Sequence, residues 1–103
     1  MEHQSKLVSI IMPTYNSTDT VVESIQSVLS QTYKNWELII VDDRSTDNTW
    51  QVIQTYADKY DNIRVYQNKE NLGAGASRNF AIKKQKAALL LFWILTTFGQ
   101  KTN

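Results

Sequence analysis

The 103-residue chain has no cysteine, a single proline, three glycines and one histidine. Without cysteine, neither a disulfide framework nor a thiolate metal centre is available. One histidine, His3 in a polar terminus, leaves no Ser-His-Asp set and no zinc cluster. An excess of one charge is also missing: 11 basic residues against 10 acidic give +1. That balance projects no long-range field, and no nucleic acid is expected as a partner. Residues 1–6 lack the apolar stretch of a secretion signal, so cytoplasmic residence is expected, with membrane association only through a segment of a longer form. The longest apolar run, Ala87 to Leu95, has nine residues. A membrane-spanning helix needs roughly 20.

What the chain does have is a short stretch of strong character, Glu37-Leu38-Ile39-Ile40-Val41-Asp42-Asp43. A near-continuous apolar run of this length suits a strand buried on both faces of a helix-covered parallel sheet. Two carboxylates end it, and the carboxyl ends of strands are where open α/β sheets bind ligands. Leu7 to Met12 reads as a second buried strand, with Pro13 expected to end it because proline cannot donate to a ladder. A helix is predicted from Thr18 or Asp19, with Val21, Val22, Ile25, Val28 and Leu29 as its apolar stripe. A second helix, capped by Ser45 or Thr46, carries Trp50, Ile53 and Ala57. Ile63 to Tyr66 alternates as an edge strand would. A small-residue helix follows from about Ala74 through Lys86. The order strand-helix-strand-helix-strand-helix predicts a right-handed α/β half-domain.

Several residues invite both a bland and a chemical reading. Asp42 and Asp43 are ordinary strand-ending residues, or one of them accepts a hydrogen bond from a ligand N–H while the other orients loop groups or lies near a metal. A carboxylate only accepts, so it separates an imide or hydroxyl from a phosphate. Tyr15 either covers the end of the core or stacks on a planar base. Arg78 is either a surface cation beside Glu70 or Asp47, or a fork for a diphosphate or a base. Gly73 and Gly75 permit close backbone approach. Leu72-Gly73-Ala74-Gly75-Ala76 lacks the full Gly-x-Gly-x-x-Gly spacing of a phosphate loop.

Taken in order, these pieces resemble the family 2 glycosyltransferases with the GT-A fold. The matching series is Val8 to Asn16, Ser27 to Tyr33, Trp36 to Asp47 and Asn71 to Asn79. The likeness covers about residues 7–83. Most family members carry glycine at the position of Arg44. The resemblance implies a Rossmann-like, mostly parallel sheet flanked by helices that binds a nucleotide-diphospho-sugar, most often a UDP-sugar. It implies that Tyr15 lies against the base, Asp43 meets the base's imide, Thr14 lines the same edge, Arg78 lies near the nucleotide and Asp42 is secondary. The acceptor would be a glycan or lipid hydroxyl. The family also uses an Asp-x-Asp motif holding Mn or Mg, and a later catalytic base.

No aspartate follows Lys86, so neither the metal motif nor a catalytic base is expected in this chain. Three regions are expected: a polar tail at 1–6, a nucleotide-sugar-binding region at 7–86 and an apolar tail at 87–103. A fourth strand is expected up to Phe92, and Thr96 to Gln100 is expected to find no partner helix. A frameshift near Lys83 or Lys84 is the expected origin of that tail. Back-translated with ordinary codons, Phe92 to Gly99 reads Leu-Asp-Ser-Asp-Asp-Leu-Trp in another frame. On this reading the sheet is incomplete, with an exposed edge open to self-association, and the chain binds UDP weakly or not at all and transfers no sugar. Two rivals are a non-catalytic nucleotide-binding module and a nucleotidyltransferase-like domain. The second normally has a glycine- and arginine-rich loop after its first strand, where this chain has Pro13-Thr14-Tyr15-Asn16.

Overall fold

A computed structural model describes residues 7–85, together with the backbone of 92–94 and 97–98. Five strands and three helices follow in the order β1 (Val8–Tyr15), α1 (Thr18–Leu29), β2 (Trp36–Asp42), α2 (Thr49–Lys59), β3 (Ile63–Gln67), α3 (Ala74–Lys84), β4 (Phe92–Ile94) and β5 (Thr97–Phe98). Every pairing is parallel, in the spatial order β3-β2-β1-β4, with β5 also on β1. The chain therefore moves outward from β1 through β2 to β3, then returns to the other side of β1. The change of direction puts a topological switch point beside the carboxyl end of β1.

Pleating splits the core into two layers. Ile10 and Met12 of β1, Leu38 and Ile40 of β2, and Ile63 of β3 meet Val21, Ile25 and Val28 of α1 and Ile53 of α2. Ile11, Ile39 and Val41 face the opposite way, where Ala81, Phe80 and Ile82 of α3 cover them. Each residue of β2 is buried, which is why its sequence shows an apolar run instead of an alternation. The α1 stripe is as expected, with Val22 and Leu29 half-buried at its margins. One charged group enters the α3 side near the amino ends of the strands. Glu37 accepts hydrogen bonds from Ser9 Oγ at 2.7 Å and Arg64 Nη2 at 2.6 Å, which offsets the cost of burying its charge.

Pro13 does not end β1, which continues to Tyr15. Backbone groups in a parallel strand point alternately to the two neighbours. Val8 donates to Asn35 and Thr14 accepts from Asp43, on the β2 side, so Pro13 faces the other way. On that side β4 pairs with Ser9–Ile11 and β5 with Thr14–Tyr15. The proline falls between the two pairings, where no donor is required. The fourth strand also differs from expectation. Among the described residues it covers Phe92–Ile94, past the expected end at Phe92, and Thr97–Phe98 makes a further pairing; the expected stretch 87–91 lies outside the described residues. The α3 helix stops at Lys84, because Gln85 is already extended at φ −69° and ψ 148°.

Ile39 is fully buried at the centre of this sheet. Ile39→Ala is expected to lower unfolding stability by roughly 2–5 kcal/mol, read from the urea midpoint of the 103-residue chain. A loss under about 0.5 kcal/mol would mean that the α3 layer does not pack as described.

Candidate functional site

The rim at the carboxyl ends of β1 and β2 is built around Asp42 and Asp43. Both are fully buried, and the pleat turns them to opposite faces of the sheet. Asp42, on the side of α1 and α2, accepts hydrogen bonds from Ser45 N at 2.9 Å, Ser45 Oγ at 2.5 Å and Gln67 Nε2 at 3.1 Å. Asp43, on the α3 side, takes Asn68 Nδ2 at 2.8 Å and Leu72 N at 2.7 Å on Oδ1, and Gly73 N at 2.8 Å on Oδ2. Its carbonyl accepts from Asn71 Nδ2 at 3.0 Å. Each carboxylate thus ties down one loop, Asp42 the start of 44–48 and Asp43 the segment 68–73. Gly73 enters α3 at φ +98°, a conformation that favours glycine.

The loop after β1 is laced to the loop after β2. Asn16, at φ 46°, accepts from Thr46 N at 2.8 Å and donates its own N–H to Ser45 Oγ at 2.9 Å. Asparagine is among the few side chains that tolerate this left-handed backbone. Ser17 N donates to Thr49 Oγ1 at 2.9 Å, and Thr49 N to Asp47 Oδ1 at 2.9 Å. The expected caps are consequently displaced. The α2 helix begins at Thr49 after Asn48, because Ser45 and Thr46 are already bound to Asp42 and Asn16. Likewise α1 starts at Thr18, but its cap position is Ser17, whose Oγ donates to Tyr15 O at 2.7 Å instead of capping the helix.

Four of the five residues singled out from sequence meet at this rim. Thr14 pairs with Asp42 in register, and Thr14 O accepts Asp43 N at 2.9 Å. One step on, Tyr15 and Asp43 occupy adjacent strand ends, on the face that Ile11, Ile39 and Val41 share with α3. Thr14 is fully buried and Tyr15 half-buried. Arg78 stands apart: it is exposed in the second turn of α3, and it makes no ion pair among the described residues. The sequence reading overlooked Asn16, Asn68 and Ser77. Asn68 is 8% exposed and donates to both Asp43 and Ser77 Oγ, the latter at 2.9 Å. In sequence it sits in an ordinary polar run, and nothing local marks it.

A divalent metal does not fit the described residues. No group of three or more His, Cys, Asp or Glu among them is placed to hold an ion. Asp42 and Asp43 face opposite ways with their oxygens engaged by the chain's own donors.

These features place the chain among α/β proteins with a ligand rim at a switch point, and comparison names the family. Residues 9–95 match the family described as glycosyl transferase family 2, and the chain belongs to it. It is 42% identical to the Escherichia coli UDP-Glc:alpha-D-GlcNAc-diphosphoundecaprenol beta-1,3-glucosyltransferase WfaP, over 95% of this chain and 41% of that protein. Among solved structures it resembles S. aureus TarS 1-349 in complex with UDP-GlcNAc. There the TM-score is 0.73 and the identity 34%, over 88% of this chain and 26% of that one. It also resembles the mannosyltransferase PcManGT from Pyrobaculum calidifontis in complex with GDP-Man and Mn2+. That likeness has a TM-score of 0.70 and 25% identity, over 77% of this chain and 24% of the other. The chain spans 27% to 41% of the length of three curated relatives it matches.

Two expectations follow from the rim. Partial burial pushes the Asp47 carboxyl up, but hydrogen bonds from Thr49 and then Thr18 outweigh it and hold the group below its ordinary 3.8. A lowered folded value means the stabilisation is present above pH 3.8 and is lost as pH falls through the folded value. Asp47→Asn should therefore lower the urea midpoint at neutral pH, and its gap to the unsubstituted chain should close in acid below 3.8. A gap independent of pH would contradict this. Arg44 sits at φ 67°, where a non-glycine residue is strained by about 1–2 kcal/mol. Glycine removes that strain but adds roughly 0.5–1 kcal/mol of chain entropy. Arg44→Gly is expected to stabilise by up to about 1 kcal/mol on balance, and a clear loss on thermal melting would mean that the Arg44 Nη1 bond to Gln67 Oε1 at 3.2 Å outweighs the strain.

Proposed function

We propose that this chain forms the donor-nucleotide half of a glycosyltransferase that moves a sugar from a UDP-sugar to the hydroxyl of a glycan or lipid acceptor. One observation carries the reading: Tyr15, the last residue of β1, and Asp43, the residue after β2, follow the paired residues Thr14 and Asp42 on adjacent parallel strands, beside the switch point of the sheet. An aromatic face and an acceptor-only carboxylate side by side suit a planar base with an imide N–H. Both nucleotide-sugar complexes among the neighbours support a donor of this class, and the UDP-using relative supports uridine.

Within this reading Tyr15 packs on the base, Asp43 accepts its imide proton in a hydrogen bond, and Thr14 fixes the spacing of the two strand ends. Arg78, exposed on α3, supplies a cation toward the nucleotide's phosphates. The acceptor's hydroxyl oxygen forms the new bond to the sugar's anomeric carbon, and the nucleoside diphosphate leaves with the bonding pair. No described residue is assigned to take the acceptor's proton. A divalent ion, where the family uses one, would offset charge on the leaving diphosphate.

Calorimetric titration of the 103-residue chain with UDP tests the reading. Weak binding is expected, unchanged by manganese, and Tyr15→Ala should weaken it by about tenfold, the order expected for losing one base–aromatic stack. The chain alone should transfer no sugar. Undetectable UDP binding by a folded chain, or binding that Tyr15→Ala leaves intact, would overturn the proposal.

A further inference from the structure

We infer that Ser45 is a positioning residue for Tyr15: its hydroxyl carries the fixed position of the buried Asp42 carboxylate to the peptide that follows Tyr15, and so sets the direction in which that side chain leaves the end of β1. The inference rests on the reading of Tyr15 as the surface on which a uracil ring packs, and it extends that reading to a residue on another loop.

A side chain leaves its Cα in a direction set by the two planar peptides that flank it. For Tyr15 the preceding peptide lies within β1, whose register with β2 runs to the pair Thr14 and Asp42. The following peptide lies beyond that register, yet both of its polar groups are held. Its carbonyl, Tyr15 O, accepts from Ser17 Oγ at 2.7 Å, and its N–H, on Asn16, donates to Ser45 Oγ at 2.9 Å. The Ser17 bond is local to one turn. The Ser45 bond ties the peptide to the loop after β2. Thr46 N, bonded to Asn16 Oδ1, makes a further tie, but to the Asn16 side chain and not to the peptide.

Ser45 is itself fixed. Its N–H donates to Asp42 Oδ2 and its hydroxyl to Asp42 Oδ1, so both oxygens of a fully buried carboxylate grip it. Chemistry sets the direction of these bonds. A carboxylate only accepts, so the one hydroxyl proton of Ser45 goes to Asp42, and a lone pair is left for the Asn16 N–H. Hydrogen bonds to an ionised group are also stronger than neutral ones. The relay Asp42–Ser45–Asn16 therefore runs one way, from the end of a buried strand to the peptide beside Tyr15. Alanine at 45 would remove both bonds of the hydroxyl and let that peptide turn. A ring that must be ordered on binding contributes less affinity than one already in place.

A double-mutant cycle read by calorimetric UDP titration tests the inference. It compares the unsubstituted 103-residue chain, Ser45→Ala, Tyr15→Ala and the double substitution, with thermal melting in parallel. Ser45→Ala should weaken UDP binding by about threefold to tenfold, no more than losing the whole stack. In the Tyr15→Ala chain the same change should move the dissociation constant by less than about twofold, because no ring remains to be directed. Ser45→Thr, which keeps the hydroxyl, should bind UDP to within about twofold of the unsubstituted chain. A scaffolding role gives another pattern, weakening by the same factor with or without Tyr15. If Ser45→Ala does not fold, Ser17→Ala takes its place in the cycle, since it frees the other end of the same peptide and leaves the Asp42 bonds intact. Equal weakening in both backgrounds, or a folded alanine variant that binds UDP as the unsubstituted chain does, overturns this inference alone. No UDP binding by the unsubstituted chain, or binding that Tyr15→Ala leaves intact, overturns the parent reading and this one together.

Discussion

Two neighbouring carboxylates at the end of a buried strand impose the constraint that shapes this rim. A pleated strand sends successive side chains to opposite faces, so Asp42 and Asp43 cannot share a set of partners. Each is fully buried, and a buried carboxylate without donors is costly. Two separate loops must therefore bring N–H and O–H groups to the strand end, one on each face. Ser45 and Gln67 serve the first, and Asn68, Leu72 and Gly73 the second. The loops are ordered because the charges are, and the start of α3 is fixed through Gly73.

The same geometry explains why a small rim can hold a defined shape. β1 and β2 are packed on both faces, so neither strand can shift without disturbing two apolar layers. Loop anchors that start from such strands inherit their rigidity. Backbone turns leave the two strand ends through Asn16 and Arg44, the two non-glycine residues with left-handed backbone among those described. Each reverses the chain immediately beyond the sheet, which keeps the surroundings of Tyr15 and Asp43 close to the strand ends and not out on long excursions.

Much of the scaffold could be read from sequence, and the reasons are local. The run Leu38 to Val41 is apolar at every position because both sheet faces are covered, and the α1 stripe repeats at helical spacing because one face is. The rim was less legible. Its bonds join partners such as Asn16 with Thr46, and Asp43 with Gly73, each 30 residues apart. No window along the chain contains both members, so Ser45 and Thr46 look like helix caps until Asp42 and Asn16 are seen to claim them. Pro13 misled for a related reason. Its missing N–H matters only on the side where a strand pairs, and the gap between the β4 and β5 pairings is a property of the assembled sheet.

A consequence of this construction is that, on the proposed reading, recognition and stability would share one atom set at Asp43. Its carboxylate anchors the loop into α3 and, on the proposed reading, would also accept from a ligand. Any replacement of Asp43 would release Leu72 N and Gly73 N together with whatever a ligand gains, so loss of binding there would not distinguish the two roles. Asn68 differs, because it donates to the carboxylate and is itself held by a second bond, to Ser77 Oγ. The physics that makes a buried charge expensive thus ties the end of β2 and the start of α3 into one unit, because neither can move without leaving the Asp43 carboxylate short of donors.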